Sequence, residues 1–267
     1  MKVRAITALF FVAVMLAAVL VSAHAFTVFF LLLSAWCAGE FYHMVSPRIS
    51  MAGRSLGITL AVALFGTVAA YQYGLIFSLA YLIWLIPLFP AVFIAELFGK
   101  SAKPFSSIGF TFLGLVYVVL PFIFFLALAF IEGRYNYRIP LGFLLILWAN
   151  DTGAYLAGRT WGKHKLFERI SPNKTWEGLV GGIVLALVLA VIVQHYFAVF
   201  TLPQWLVIAV LISTFGTLGD LVESMLKRSL QVKDSGNILP GHGGLLDRFD
   251  GLLLAAPLVY FYVVLFI

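Results

Sequence analysis

Long apolar runs separated by short polar segments restrict the fold of this chain more than any other feature. A run of about 20 apolar residues spans the hydrocarbon core of a bilayer as an α-helix. Only 10% of the residues are charged, whereas a soluble domain of this size carries about a quarter. We therefore predict an all-α polytopic membrane protein with nine spans, at approximately 4–22, 25–45, 55–73, 75–98, 106–131, 139–158, 177–199, 203–226 and 248–267.

Basic residues fall almost entirely on one side of the predicted membrane. If the N-terminus is cytoplasmic, that side receives all of the 17 Lys and Arg residues except Arg134 and Arg138. Because short loops rich in Lys and Arg stay in the cytoplasm, we expect the N-terminus inside and the C-terminus outside. Membrane insertion also explains the formal net charge of +6, so the expected partner is the lipid bilayer and no nucleic acid.

Acidic residues are distributed unevenly along the chain. The first 130 residues contain only Glu40 and Glu96. We expect residues 1–130 to form an N-terminal transmembrane scaffold of about five spans. Residues 131–267 are expected to form a catalytic transmembrane half with cytoplasmic loops at 159–176 and 227–247. This half contains eight carboxylates between residues 148 and 251: Asp151, Glu168, Glu177, Asp220, Glu223, Asp234, Asp247 and Asp250.

Polar side chains occupy one face of the eighth predicted span. Asp220, Glu223, Ser224, Lys227 and Arg228 stand at i, i+3, i+4, i+7 and i+8, which places them on one side of a helix. An Asp at the centre of a membrane helix costs about 2.5–3.5 kcal/mol, so such residues usually face a protein interior or a wet cavity. Salt bridges at the helix end, with snorkelling basic side chains, explain the same spacing.

A glycine-rich segment follows this helix and leads into the last span. Residues 233–250 read Lys-Asp-Ser-Gly-Asn-Ile-Leu-Pro-Gly-His-Gly-Gly-Leu-Leu-Asp-Arg-Phe-Asp. Glycines allow positive φ and close backbone approach, so successive N–H groups can cradle phosphate oxygens. Asp247 and Asp250, at i and i+3, can aim at one point, and hard oxygen ligands suit Mg²⁺ held together with substrate phosphates. A plain turn explains the glycines but not the surrounding cations and carboxylates.

A second basic cluster lies between the sixth and seventh spans, on the same predicted side of the membrane. It includes Arg159, Lys163, Lys165 and Lys174. Polybasic cytoplasmic loops commonly attract anionic lipid. The stretch from Ser171 to Glu177 also has part of an N-terminal capping pattern, and the two roles are compatible.

At these residues the sequence resembles the phosphatidate cytidylyltransferase family, also called CDP-diacylglycerol synthases. The resemblance covers roughly the last 120 residues and includes the stretches 151–163 and 171–178. Its C-terminal signature is met without departure at Ser224, Lys227-Arg228, Lys233-Asp234, Gly236, Leu239-Pro240, His242-Gly243-Gly244, Asp247-Arg248 and Asp250.

The resemblance implies a reaction and a location. A phosphate oxygen of phosphatidic acid attacks the α-phosphorus of CTP, pyrophosphate leaves, and the product is CDP-diacylglycerol. The implied cofactor is Mg²⁺, with Mn²⁺ as a substitute and room for a second cation. The enzyme is expected in the cell (inner) membrane with its active site facing the cytoplasm, and a homodimer is left open.

The resemblance also suggests a role for individual residues. His242 is either a general acid for pyrophosphate or a loop residue that orients a neighbour. The expected metal ligands are Asp220, Asp247 and Asp250, and the expected catalytic set adds Ser224, Lys227 and His242. The expected substrate-binding residues are Arg228, Lys233, Arg248, Gly243, Gly244, Lys174, Arg159 and Asp151.

Three alternative functions remain at this point. A CTP-dependent kinase of lipid alcohols, such as polyprenols or phytol, would use a similar metal and phosphate site but transfer the γ-phosphoryl group. A secondary transporter also has intramembrane carboxylates and broken helices, although here the charges gather on one helix face and in two loops. A structural scaffold gives no reason for the carboxylate cluster.

Overall fold

A computed structural model describes residues 2–99, 101–236 and 243–267, with backbone only for residues 2–6 and 8. The described chain is almost entirely helical. Short 3₁₀ segments occur at Ser46–Arg48 and Leu79–Leu85, and a π-helical turn at Leu115–Val119. The α-helices are α1 (Lys2–Val21), α2 (Ala23–Met44), α3 (Met51–Gln72), α4 (Leu88–Phe98), α5 (Pro104–Gly114), α6 (Leu120–Ala129), α7 (Arg138–Trp161), α8 (Trp176–Phe197), α9 (Leu202–Ser229) and α10 (Leu246–Phe266).

Eight helical segments within the described residues are long and apolar enough to cross a membrane. They begin with α2, and two of them combine shorter elements, at Leu79–Phe98 and Pro104–Ala129. They correspond in chain order to the last eight of the nine predicted spans. Within α1 the described apolar stretch, Leu9–Val21, is shorter than a span, so the first predicted span stays a prediction. The prediction of a helical polytopic membrane protein is therefore confirmed, while the sides on which the termini lie stay a prediction.

Prolines mark the irregular points of two spans. Pro87 precedes α4, and Pro90 lies in its first turn. Pro121 lies in the first turn of α6, directly after the π-helical turn. Proline lacks the N–H group that continues an α-helical ladder, so these spans are built from shorter helical elements.

The chain divides into two compact units. The first contains the described residues up to Tyr135 together with 234–236 and 243–246. The second contains residues 136–233 and 247–267. The sequence analysis predicts a scaffold up to residue 130 and a catalytic half after it. This assignment of roles stays a prediction.

Aromatic side chains form the core of the first unit. Phe26 and Phe30 of α2 pack against Phe125 of α6 with ring centroids 5.9 and 5.0 Å apart. The side chain of Tyr42 lies so close to Gly57 and Gly114 that a Cβ atom at either glycine would meet it at 2.5 Å. The Tyr42 hydroxyl donates to the carbonyl oxygen of Thr111 at 2.8 Å. Glycines on α3 and α5 thus make room for a large side chain from α2.

Small residues bring α7 and α8 of the second unit into close contact. A Cβ atom at Gly153 would lie 2.7 Å from the carbonyl oxygen of Gly181, and one at Gly181 would lie 2.2 Å from the Cβ of Ala157. Such stripes allow membrane helices to associate through backbone contact. Other residues on this buried stripe of α8 stand four apart: Gly178, Gly182, Ala186 and Ala190.

The segment between α7 and α8 forms a small antiparallel hairpin that the sequence analysis did not predict. Its strands are β1 (Lys165–Phe167) and β2 (Ser171–Thr175). The Thr175 hydroxyl accepts from the N–H of Gly178 at 3.1 Å and caps α8. The capping pattern seen in the sequence is therefore confirmed, and Lys174 lies directly before the capping residue Thr175.

Candidate active site

The first ion pair of the candidate site joins the hairpin to α9. Lys174 Nζ lies 2.6 Å from Asp220 Oδ2 and donates to the carbonyl oxygen of Thr217 at 3.3 Å. Asp220 also accepts from the hydroxyl of Ser224 at 3.3 Å, one helical turn along α9. This geometry places three of the predicted site residues in one hydrogen-bonded group.

Two further carboxylates lie near Asp220. The charge of Asp220 interacts with those of Asp151 on α7 and Asp250 on α10, and Lys174 interacts with both of these groups. The Asp250 carboxylate accepts from the N–H of Gly251 at 2.7 Å. Three carboxyl groups with one close lysine form a region in which a bound cation would offset the repulsion between their ionised forms.

A glycine on α9 sets the distance between Asp220 and Asp250. A Cβ atom at Gly219 would lie 2.3 Å from the carbonyl oxygen of Asp250 and 3.3 Å from the Cα of Gly251. Only glycine allows α10 to approach α9 this closely at the residue before Asp220. Backbone contact thus holds the two carboxylate-bearing turns together.

A second ion cluster lies further along α9. Lys227 Nζ lies 2.5 Å from Glu223 Oε2 and 2.6 Å from Asp247 Oδ1. The exposed fractions of these side chains are 14% for Lys227, 0% for Glu223 and 8% for Asp247. Removing carboxylates and an ammonium from water is costly unless they are paired, and in this cluster a single ammonium, that of Lys227, is shared by two acidic side chains.

The other predicted basic residues are more exposed. Arg248 is exposed, and its charge interacts with that of Asp151. Arg228 and Lys233 are exposed at the end of α9 and just beyond it. Arg159 donates to the hydroxyl of Tyr155 at 3.0 Å and lies eight residues, about 12 Å along the helix, from Asp151. Their anion-binding roles stay predictions.

The glycine-rich segment is described at its two ends. Gly243 has φ of +79°, a conformation that favours glycine. The N–H groups of Leu245 and Leu246 donate to Glu40, so they do not point to a free phosphate-binding cradle. The phosphate-binding role of Gly243 and Gly244 stays a prediction, and His242 lies outside the described residues.

Three residues near these groups were missed as site residues by the sequence analysis. Glu223 was placed on the polar face but given no role, and Glu40 was noted only as a lone acidic residue. Asn150 is buried and its side-chain amide donates to Asp151 at 3.5 Å. An Asn–Asp pair at the end of an apolar run is the one local signal that could have indicated Asn150.

The donor set fits a divalent cation held partly by a ligand. Among the residues that the structure describes, no three His, Cys, Asp or Glu side chains form an arrangement able to hold a metal ion by themselves. Mg²⁺ typically takes one or two carboxylates and completes its coordination with phosphates and water. Asp220 and Asp247 each bind a lysine, Lys174 and Lys227 respectively, so an ion at either carboxylate would have to displace an ammonium group. Shared coordination by Asp220, Asp247 and Asp250 stays a prediction.

The fold and this site define a polytopic helical membrane protein with paired carboxylates and lysines suited to phosphate ligands. The sequence model of the Cytidylyltransferase family matches residues 2–266, and the chain belongs to that family.

Individual relatives carry a more specific name. A phosphatidate cytidylyltransferase of Bacillus subtilis (strain 168) is 47% identical over 169 residues, 62% of this chain and 62% of that protein. Proteins of the same name from Staphylococcus haemolyticus (strain JCSC1435) and Staphylococcus aureus (strain COL) are 44% identical over 163 and 164 residues. Each of these two matches covers 60% of this chain and 61% of the relative. The matched part of the chain therefore spans about three fifths of each relative.

Proposed function

We propose that this chain is a phosphatidate cytidylyltransferase, which transfers CMP from CTP to phosphatidic acid and releases pyrophosphate. The observation that carries the proposal is the grouping of Lys174, Asp220 and Asp250 beside the pair of Lys227 and Asp247, in a chain of the Cytidylyltransferase family. The name shared by its relatives, phosphatidate cytidylyltransferase, supports this choice of lipid and reaction.

The chemistry requires two anions to be held together. The lipid phosphate is already an anionic nucleophile, so no covalent enzyme intermediate is needed. Catalysis then consists of orienting the phosphate oxygen in line with the α-phosphorus and stabilising the charge on the transferred group. Lys174 and Lys227 are the ammonium groups closest to the carboxylates. In this proposal they bind phosphate oxygens, while Arg228, Lys233 and Arg248 add positive charge at the rim.

Magnesium is part of this proposal. Asp220 and Asp250 would hold it, with Asp151 close enough to strengthen the negative field. The chemistry that such an ion would supply is stabilisation of negative charge on the phosphate groups. Mn²⁺ meets the same hard-oxygen requirement and is the expected substitute.

We also propose the cell membrane as the location, with the active site at the cytoplasmic face. The support is the asymmetry of basic residues, since only Arg134 and Arg138 fall on the opposite side when the N-terminus is inside. Accessibility labelling of cysteines introduced at positions 134 and 165 in intact cells tests this orientation. A homodimer remains an expectation, and native mass spectrometry of the detergent-solubilised protein tests it.

Labelled CTP distinguishes the proposed reaction from its rivals. Purified protein in detergent is incubated with phosphatidic acid, Mg²⁺ and CTP labelled at either the α- or the γ-phosphate. Label from the α position should enter the lipid, and γ label should appear in pyrophosphate. Transfer of γ label to a lipid alcohol would instead identify a kinase. Turnover in detergent, without a sealed compartment, is not expected of a transporter.

A matched pair of variants connects the reaction to the site. Asp220→Asn removes the carboxylate that Lys174 contacts at 2.6 Å and should abolish transfer of the α label. Glu168→Gln removes an exposed carboxylate in the hairpin turn and should leave it unchanged. Full activity of Asp220→Asn would refute the proposed site, while absence of activity in the wild-type protein would refute the reaction.

A further inference from the structure

The first unit contains a buried carboxylate that the reaction described above does not use. Glu40 lies near the end of α2, an otherwise apolar helix, and only 6% of it is exposed. A buried carboxylate is costly unless hydrogen bonds replace its lost hydration. The identity of its partners therefore indicates why this residue is present.

The partners of Glu40 belong to the glycine-rich segment, 195 to 206 residues later in the chain. The N–H of Leu245 donates to Oε1 at 3.0 Å, and the N–H of Leu246 donates to Oε2 at 2.8 Å. The hydroxyl of Ser235 donates to Oε2 at 3.3 Å. Both carboxylate oxygens therefore accept from backbone N–H groups. The hydroxyl of Ser235, at the N-terminal end of the segment, donates the third hydrogen bond.

Two signature glycines are required by this contact. A Cβ atom at Gly236 would lie 2.6 Å from Oε1 of Glu40. One at Gly244 would lie 2.6 Å from Oε2 and 2.7 Å from the backbone nitrogen of Gly236. These glycines allow the backbone at positions 236 and 244 to contact the Glu40 carboxylate. This role differs from the phosphate cradle that the sequence suggests.

The start of α10 depends on the same carboxylate. Leu246 is the first residue of α10 and precedes Asp247. The first N–H groups of a helix have no partner within the helix and usually bind a capping side chain close in sequence. Here the cap comes from α2, and its negative charge is favourable at the positive end of the helix dipole.

We propose that Glu40 is a positioning residue for catalysis: it fixes the backbone of residues 235–236 and 243–246 and thereby the start of α10, which carries Asp247 and Asp250. Glu40 itself touches no reacting atom in this account. The kinetic part of the proposal rests on the proposed cytidylyltransferase function, whereas the structural part does not.

Glu40→Gln is the most specific perturbation. Glutamine keeps the size of the side chain but presents an NH₂ group to one of two backbone N–H donors, and a backbone N–H cannot become an acceptor. Glu96→Gln is the matched control, because Glu96 is also buried in the first unit and accepts from the hydroxyls of Ser50 and Ser107. Hydroxyl groups can rotate to accept from an amide, so this variant should be tolerated.

Hydrogen exchange measured by mass spectrometry tests the structural part on the full-length protein in detergent. Loss of a charge-assisted hydrogen bond should speed exchange in a peptide covering residues 243–249 by about 10- to 100-fold in Glu40→Gln. The same peptide should exchange at the wild-type rate in Glu96→Gln. Equal exchange in Glu40→Gln and wild type would overturn the proposal, whether or not the protein turns over CTP.

Kinetics test the catalytic part. In Glu40→Gln, kcat/KM for CTP should fall by about 10- to 100-fold, while the KM for phosphatidic acid stays near its wild-type value. Glu40→Asp retains both acceptor oxygens and should recover part of the loss. A variant that exchanges faster but keeps wild-type kcat and KM would refute the catalytic role. An inactive wild-type protein would refute the proposed function and leave the exchange result standing.

A second variant covers the case in which Glu40→Gln does not fold. Gly244→Ala keeps the carboxylate but introduces a Cβ atom against the backbone of Gly236. It should accelerate exchange in the same peptide. Gly39→Ala, beside Glu40 on α2, is its control because no atom lies within 4 Å of a Cβ there. Unchanged exchange in Gly244→Ala would contradict the close packing on which the proposal depends.

Discussion

Replacing Gly219 with alanine tests whether contact between α9 and α10 sets the spacing of Asp220 and Asp250 in the proposed site. The added Cβ atom would lie 2.3 Å from the carbonyl oxygen of Asp250, whereas ordinary contact begins at 3.4 Å. The opposing atoms belong to the backbone, so a change of side-chain rotamer cannot relieve the overlap. The two helices have to separate locally by about 1 Å.

We expect Gly219→Ala to reduce kcat strongly while the protein stays folded. Overpacking of this kind destabilises proteins by about 1–3 kcal/mol, which is less than the usual stability of a folded chain of about 5–15 kcal/mol. The protein should therefore remain folded. A misplacement of about 1 Å at a reacting centre can reduce the rate by about 100-fold. We expect kcat of Gly219→Ala to fall by this factor.

Two assays separate the rate from the stability. Transfer of α label from CTP to phosphatidic acid in detergent gives kcat. Cys37 is the one cysteine of the chain and is fully buried, so its reaction with a thiol dye on heating reports unfolding. Gly66→Ala on α3 is the control, since no atom lies within 4 Å of a Cβ there. If Gly219→Ala turns over as fast as Gly66→Ala, the contact does not set the spacing.

Three further perturbations act on other parts of the site. Lys227→Met leaves Glu223 and Asp247 buried without their ammonium partner and should destabilise the protein by about 3–5 kcal/mol, seen as thiol exposure at lower temperature. An unchanged unfolding temperature would mean that the cluster is neutralised in another way. Gly182→Ala would place a Cβ atom 2.5 Å from Oδ1 and 2.9 Å from the carbonyl oxygen of Asn150. It should cost about 1–3 kcal/mol in the same assay, and a neutral effect would contradict close packing of α7 on α8. Chelation of divalent cations should abolish CMP transfer, and added Mg²⁺ or Mn²⁺ should restore it; transfer that continues in chelator would rule out the metal.

The helical architecture could be predicted because lipid leaves the backbone few choices. Inside a bilayer every N–H and C=O group needs an internal partner, so a long apolar run forms a helix. The predicted span at 106–131 corresponds to Pro104–Ala129, and that at 203–226 to Leu202–Ser229. The polar face of α9 was equally accessible to prediction, because the contacts of Asp220 with Ser224 and of Glu223 with Lys227 follow from helical spacing.

Partners distant in sequence could not be predicted in this way. Helical periodicity places Asp247 and Asp250 on one side of α10 but does not reveal that Lys227 binds the first while Asp220 lies near the second. The contact of Glu40 with Leu246 joins residues 206 positions apart. The hairpin was missed because its strands are only 3 and 5 residues long and mostly polar. Such features depend on tertiary packing, which a local sequence pattern does not reveal.

The ion pair between Lys174 and Asp220 has a consequence for the order in which ligands bind. An ammonium group that already occupies a carboxylate competes with any divalent ion for the same oxygens. A polyanion that attracts Lys174 would leave Asp220 available to the ion, and a bound ion would in turn leave Lys174 available to the polyanion. Nucleotide and metal should therefore enhance each other's affinity by the same factor, as thermodynamic linkage requires.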